Sequence, residues 1–156
     1  MLELKRDKLG QLSSIESFRA IVEGMTDALG DKATAVALTS AGRKHGKEVA
    51  EKLGFKGSEQ NLEDAAKQIT ELLGEQGSRL CIIDRIVRDG DSIKVYTLET
   101  LCAIGGTEET PPKCTFTLGL VWGVLGELLQ SKLKATQTES VLRGDSYDLF
   151  EFTVLT

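Results

Sequence analysis

The sequence predicts an α+β domain, on three observations. Apolar residues recur at helical period through the first 73 positions. The period then changes to two, with Asp89-Gly90 between two strand-like runs. Residues 115–133, TFTLGLVWGVLGELLQSKL, form the longest strongly apolar stretch and return to helical spacing. Helices segregated from hairpins indicate α+β rather than a parallel βαβ sheet. A length of 156 residues fits one domain over 1–156. The chain shows no internal repeat. A hydrophobic share of 40% can fill a core, and a charged share of 28% is too low for disorder.

Taken in order, residues 1–12 read as an irregular or short extended lead-in. Ser13 or Ser14 can cap a helix, and of the two only Ser13, with Glu16, has capping-box spacing. Ile15, Phe18, Ile21, Val22, Met25 and Leu29 then mark an amphipathic helix that ends at Gly30. Residues 32–53 carry a second helical pattern, with Gly42 and Gly46 four apart and Gly54 as the stop. Ser58 is the predicted cap of a third helix, 60–73, whose stripe is Leu62, Ala65, Ala66, Ile69 and Leu72. Residues 80–87 are apolar on both faces and 92–98 alternate, so Asp89-Gly90 predicts a hairpin turn, glycine accepting positive φ. A loop at 105–113 contains both prolines. After the apolar helix, 134–140 and 148–155 form a second hairpin around a turn at 142–146. Phe150, Phe152 and Val154 point to one side of its last strand.

The apolar helix organises the rest. Gly119 and Gly123 stack on one face with Gly126 close by, beside Leu118, Val121, Trp122, Leu125 and Leu129. An interior glycine costs about 0.5–1 kcal/mol against alanine, so three require a reason: another backbone or a ligand approaches that face. Gly42 and Gly46 offer a matching smooth face for packing or for a dimer. Glu127 and Lys132 end the apolar run short of the ~20 residues that span a bilayer.

Charge and composition exclude several chemistries. A net charge of −5 argues against nucleic acid, which needs a basic patch. The cluster Arg43-Lys44-His45 with Lys47 is followed by Glu48 and Glu51, and reads as a solvated helix face. The N-terminus MLELKRDKL lacks the apolar run of a signal peptide, which makes cytoplasm the expected location. Three cysteines (Cys81, Cys102, Cys114) without CxxC spacing predict reduced thiols rather than a disulfide framework. Neither GxGxxG nor GxxxxGK[ST] occurs. His45 is the single histidine and lies among charges, so a histidine-based catalytic dyad, a multi-histidine metal site and a histidine-bound haem are disfavoured. Cys114 directly precedes the apolar helix, where a helix N-terminus lowers a thiol's pKa. It reads either as a reactive, acylated or metal-ligating thiol or as a small buried hydrophobe. Cys81 reads as the latter. Trp122 is either core or the wall of an apolar ligand cavity.

The stretch PPKCTFTLGLVWGVLGELLQSKLKATQTESVLRGDSYDLFEFTVL resembles the C-terminal half of the 4-vinyl-reductase-like, or hydrocarbon-binding, domains. These share a superfamily with TRAPP vesicle-tethering subunits and haem nitric-oxide-binding domains. The likeness rests on Cys114 ahead of the helix, Gly119-x-x-x-Gly123 within it, Glu139 on the next strand and Gly144-Asp145 in the last turn. AGRKHGKEVAEKLG, with Gly42-Arg43 and Gly46, resembles the family's glycine-bearing N-terminal helix. The resemblance implies helices packed on a twisted antiparallel sheet, the ligand-binding fold of the nitric-oxide-signalling and Golgi-transport type. It further implies a homodimer and a small hydrophobic ligand. Some relatives bind structural zinc through cysteines and a glutamate. Cys114 and Glu139 match the first cysteine and the glutamate, but Leu142 and Asp148 stand at the other two cysteine positions, and Cys102 is a further candidate from the loop. A structural site needs about four ligands, so the expectation is no metal and no cofactor. The haem branch's tyrosine–serine–arginine motif is not seen. In the TRAPP branch a cysteine can carry an acyl chain, a role open here to Cys102 or Cys114.

Three readings follow. The first is a non-catalytic module holding an apolar molecule (hydrocarbon, aromatic or tetrapyrrole-like) against a wall of Phe18, Val22, Leu118, Val121, Trp122, Leu125 and Phe152. With no DNA-binding or ATPase segment in these residues, its signal is expected to pass through a dimer or a separate partner. The second is a dimeric assembly protein of TRAPP-subunit type with no ligand. The third, suggested only by the family's name, is an enzyme on tetrapyrrole vinyl groups, and the lack of a hydride-cofactor motif disfavours it.

Overall fold

The structure, a computed structural model, describes residues 6–103 and 114–156. The first five residues and the expected proline loop at 105–113 lie outside that set. Among the described residues four helices and four strands follow the predicted order, and the class is α+β.

Helix α1, Ile15–Leu29, is capped by Ser14, whose Oγ accepts from the Glu16 amide at 3.1 Å. Of the two candidate caps, Ser13 with its capping-box spacing is not the one that closes the helix. Gly30 at φ 82° turns the chain directly into α2, Asp31–Lys52. Helix α3, Leu62–Leu73, is capped by Asn61 and not by Ser58. Asn61 Oδ1 accepts from the Asp64 amide at 2.8 Å, whereas the buried Ser58 hydroxyl has no partner.

Strands β1, Ile82–Asp89, and β2, Ser92–Leu98, form the first hairpin, with Gly90 at φ 61° in its turn. One turn of 3-10 helix, Leu101–Ala103, follows. Helix α4 covers Thr115–Leu129, and its expected last turn belongs instead to the bend into β3, Leu133–Glu139. Gln130 closes α4 in the left-handed conformation at φ 49°. A second 3-10 turn, Val141–Arg143, leads to β4, Asp148–Val154.

The sheet order is β1-β2-β4-β3, every pair antiparallel. Register sets what each face carries. Val95 and Ile93 lie opposite Phe150 and Phe152, and Ala135 opposite Phe152 from the other side, all on one face. Helices α3 and α4 cover that face and seal Val95, Ile93, Phe150 and Phe152 from water, with Ala135 half-buried against them. Thr70 ties α3 to β1, its hydroxyl donating to the Ile83 carbonyl at 3.1 Å and accepting from the Ile83 amide at 3.0 Å. Alternation sends Tyr96, Leu149, Lys94 and Glu151 to the other face. There Arg85 lies 3.9 Å from the Tyr96 ring centroid and hydrogen-bonds the Tyr147 hydroxyl at 3.2 Å.

Candidate functional site

Helix α4 is buried along most of its length, and different neighbours meet its sides. Towards α2 the contact is backbone on backbone. A Cβ at Gly119 would strike the Thr39 carbonyl oxygen, and one at Gly123 the Arg43 carbonyl oxygen. Reciprocally, a Cβ at Gly42 would strike the Phe116 carbonyl oxygen and one at Gly46 that of Leu120. The Gly46 Cβ would also lie 3.0 Å from the Gly123 Cα. Main-chain atoms of two packed helices cannot step aside as a flexible side chain would. These four glycines therefore join two helices of one chain. Gly126 is different: the nearest atom to its added Cβ is 3.8 Å away.

The residues expected to wall one pocket fall into separate groups. Val121, Leu125 and Phe152 are at most 2% exposed, in the main core with Phe150 and Val95. Trp122 is half-buried and turns to α2, where the Arg43 guanidinium lies 4.3 Å from its ring centroid. Both line an open groove of about 380 Å³ with Ala35, Val36, Thr39 and Ser40. Phe18 reaches from α1 onto Phe116 with ring centroids 5.8 Å apart, edge to face. Phe116 in turn stacks on His45 at 6.4 Å. Val22 and Leu118 are half-buried, Leu118 against the core. Sequence reasoning missed Arg43 and Phe116 as partners. The signal for Arg43 was its position next to Gly42, on the face that meets α4.

The N-terminus of α4 overturns the expectation of reduced thiols: Cys102 and Cys114 form a disulfide. The 3-10 turn at the end of β2 brings Cys102 beside Cys114, the N-cap of α4, with Cα atoms 5.1 Å apart, a separation a disulfide accepts. Sequence spacing carries no trace of that proximity. A polar cluster surrounds the bond. Thr100 Oγ1 donates to Asp148 Oδ2 at 2.5 Å and lies 3.7 Å from Cys114 Sγ. Asp148, wholly buried, also accepts at Oδ1 from the Val141 amide at 3.2 Å, and its carbonyl accepts from Thr97 Oγ1 at 2.6 Å. The Cys114 amide donates to Gln137 Oε1 at 3.0 Å.

This geometry also separates the candidate metal ligands. Both cysteines are spent on each other. Glu139 pairs with Leu149, one residue off from Asp148 and Phe150 and hence on the opposite face of the sheet. Gln137, paired with Phe150, stands beside Cys114 instead. Among the described residues no three histidine, cysteine or acidic side chains converge on a point where a metal could sit. The third cysteine, Cys81, is buried at the edge of a groove of about 440 Å³ between the end of α3 and the start of β1. Burial pushes its thiol pKa up to about 12, so it stays protonated and inert at neutral pH.

Layering, strand order and central helix define the class: an α+β domain with helices on a four-stranded antiparallel sheet. No protein-family model and no curated protein matches the sequence. Solved structures do match the fold. One is the phenol-responsive sensory domain of the transcription activator PoxR with phenol, at TM-score 0.71 and 13% identity over 92% of this chain and 76% of that one. Another is trafficking protein particle complex subunit 3 from Naegleria fowleri, covalently bound to palmitic acid. It matches at TM-score 0.59 and 13% identity over 91% of this chain and 93% of that one. Among the described residues no helix is long and apolar enough to cross a membrane.

Proposed function

We propose that this chain is a non-catalytic, 4-vinyl-reductase-like module that binds a small apolar molecule and serves in sensing. The observation that supports it most is the likeness, over nearly the whole chain, to a sensory domain whose structure holds phenol. The ligand sits against α4, with Trp122 as its aromatic contact. The groove between Trp122 and α2 is apolar on its walls and carries Arg43 at its rim, so it suits a flat aromatic or a short hydrocarbon bearing a polar head. Trp122 is the sole tryptophan, so intrinsic fluorescence reports on that place alone. Native mass spectrometry of the purified protein, followed by fluorescence titration with phenols, fatty acids and tetrapyrroles, tests the reading. Expected are a non-covalent adduct of one chemical class, a saturable Trp122 signal, and loss of the adduct in Trp122→Ala. Binding unchanged in Trp122→Ala would move the ligand elsewhere, and no binding of any class would reject the module.

The assembly reading has its own support. Helix α1 has no fully buried residue, and Ile21 and Leu29 remain 62% and 57% exposed, as does Val36 of α2 at 66%. Large apolar side chains left in water on consecutive helices suit an interface between two copies. The dimer we propose uses this face, and not the glycine face, which the sequence left open to packing or to a dimer and which α2 and α4 consume within one chain.

A further inference from the structure

We propose that the Cys102–Cys114 disulfide is a reversible dithiol–disulfide switch whose state sets how firmly α1 docks on the rest of the chain. It stands apart from the ligand reading, because none of its readouts needs a ligand.

The two sulfurs are unequal. Cys102 is half-buried, while Cys114 is 2% exposed and caps α4. No side chain caps the free amides of the first turn of α4. An incoming thiolate therefore reaches Cys102 Sγ, and Cys114 leaves as a thiolate beside a helix N-terminus, which favours negative charge on sulfur. With a dithiol as reductant the exchange balances. Its first thiolate attacks Cys102 Sγ, a mixed disulfide forms and the Cys102–Cys114 bond breaks. Its second thiol, deprotonated, then attacks the reductant's own sulfur in that mixed disulfide. The reductant departs as a cyclic disulfide, oxidised by two electrons, and Cys102 and Cys114 are left reduced, taking up the two protons the dithiol gave up. A glutathione disulfide reverses the sequence.

The consequence runs through the first turn of α4. That turn is held to the sheet by the disulfide and by the Cys114 amide on Gln137, and it carries Phe116. Phe116 is the aromatic seat of Phe18, and the rest of α1 meets α2 through half-buried side chains such as Val22 and Met25, with no fully buried residue. Opening the bond leaves Gln137 as that turn's tie to the sheet, with Gly42 of α2 still against the Phe116 carbonyl, so the turn and the Phe116 seat loosen without coming free.

Hydrogen exchange of the full chain, oxidised and then reduced with dithiothreitol, tests this. Expected is a rise of about three- to tenfold in amide exchange over Ile15–Leu29 and the first turn of α4, the range an aromatic pair supplies. β2 and β4 should stay protected, and glutathione disulfide should reverse the change. Cys102→Ser/Cys114→Ser should show the reduced pattern whatever the redox state. Glutathione disulfide should modify Cys102 in Cys114→Ser much faster than Cys114 in Cys102→Ser. Unchanged α1 exchange, loss of protection across the whole sheet on reduction, or preferential modification of Cys114 would each overturn the proposal.

Discussion

Asp148 is a carboxyl group sealed inside the fold and satisfied by one hydroxyl and one amide. Thr100→Val keeps the shape and removes the hydroxyl, so an acceptor is left unsatisfied in the interior. The expected cost is about 1–3 kcal/mol, read from urea unfolding, while Thr100→Ser should retain most of the stability. Equal losses in the two variants would show that the methyl group and not the hydroxyl matters. Cys81 gives a pH prediction. Its folded pKa near 12 stands above the unfolded value of 9.0, so the unfolded chain loses this proton first as pH rises. The contribution is full below pH 9 and declines towards pH 12. Melting temperature in the oxidised protein should therefore fall with pH above 9, and fall less steeply in Cys81→Ala. Cys81 itself was legible as a small buried hydrophobe inside an apolar strand. The pairing of Cys102 with Cys114 was not, because the prediction weighed spacing in sequence and the bond depends on where a 3-10 turn ends.

Among the elements, α2 and α4 separate intrinsic propensity from packing. Ala is the better helix former everywhere in α4, worth about 0.5–1 kcal/mol over glycine. Gly126 has room for the methyl group, so Gly126→Ala should stabilise by that amount. At Gly123 the same methyl meets the Arg43 carbonyl, so Gly123→Ala should destabilise by about 1–3 kcal/mol despite the better propensity. Chemical denaturation of the two variants side by side checks both signs. The glycine spacing at 119 and 123, and at 42 and 46, announced a close approach in the sequence. Its partner was not announced, since a smooth face reads the same whether the other helix belongs to this chain or to a second copy.

At the scale of the whole molecule, α1 is the element least committed to the monomer. Its apolar stripe marked an amphipathic helix, yet its larger aliphatic residues Ile21 and Leu29 face water, and only Phe18, Val22, Met25 and Thr26 are half-buried. Ile21→Glu should leave the circular dichroism spectrum intact and convert a dimer to a monomer in light scattering. A monomeric parent chain, or a variant that stays dimeric, would reject this face as the interface.

Hydropathy period, glycine punctuation and the Asp-Gly turn determined the order, type and approximate ends of the elements, because those signals are local. They also marked α4 as the centre. Tertiary structure alone decided which neighbour each buried residue has. It set Trp122 under Arg43, moved Val121, Leu125 and Phe152 into the core, put Glu139 and Asp148 on opposite faces of the sheet, and joined Cys102 to Cys114. The physical reason is that periodicity specifies which side of an element is dry. What fills the space on that side is settled by strand register and helix crossing, which bring together residues far apart in the chain.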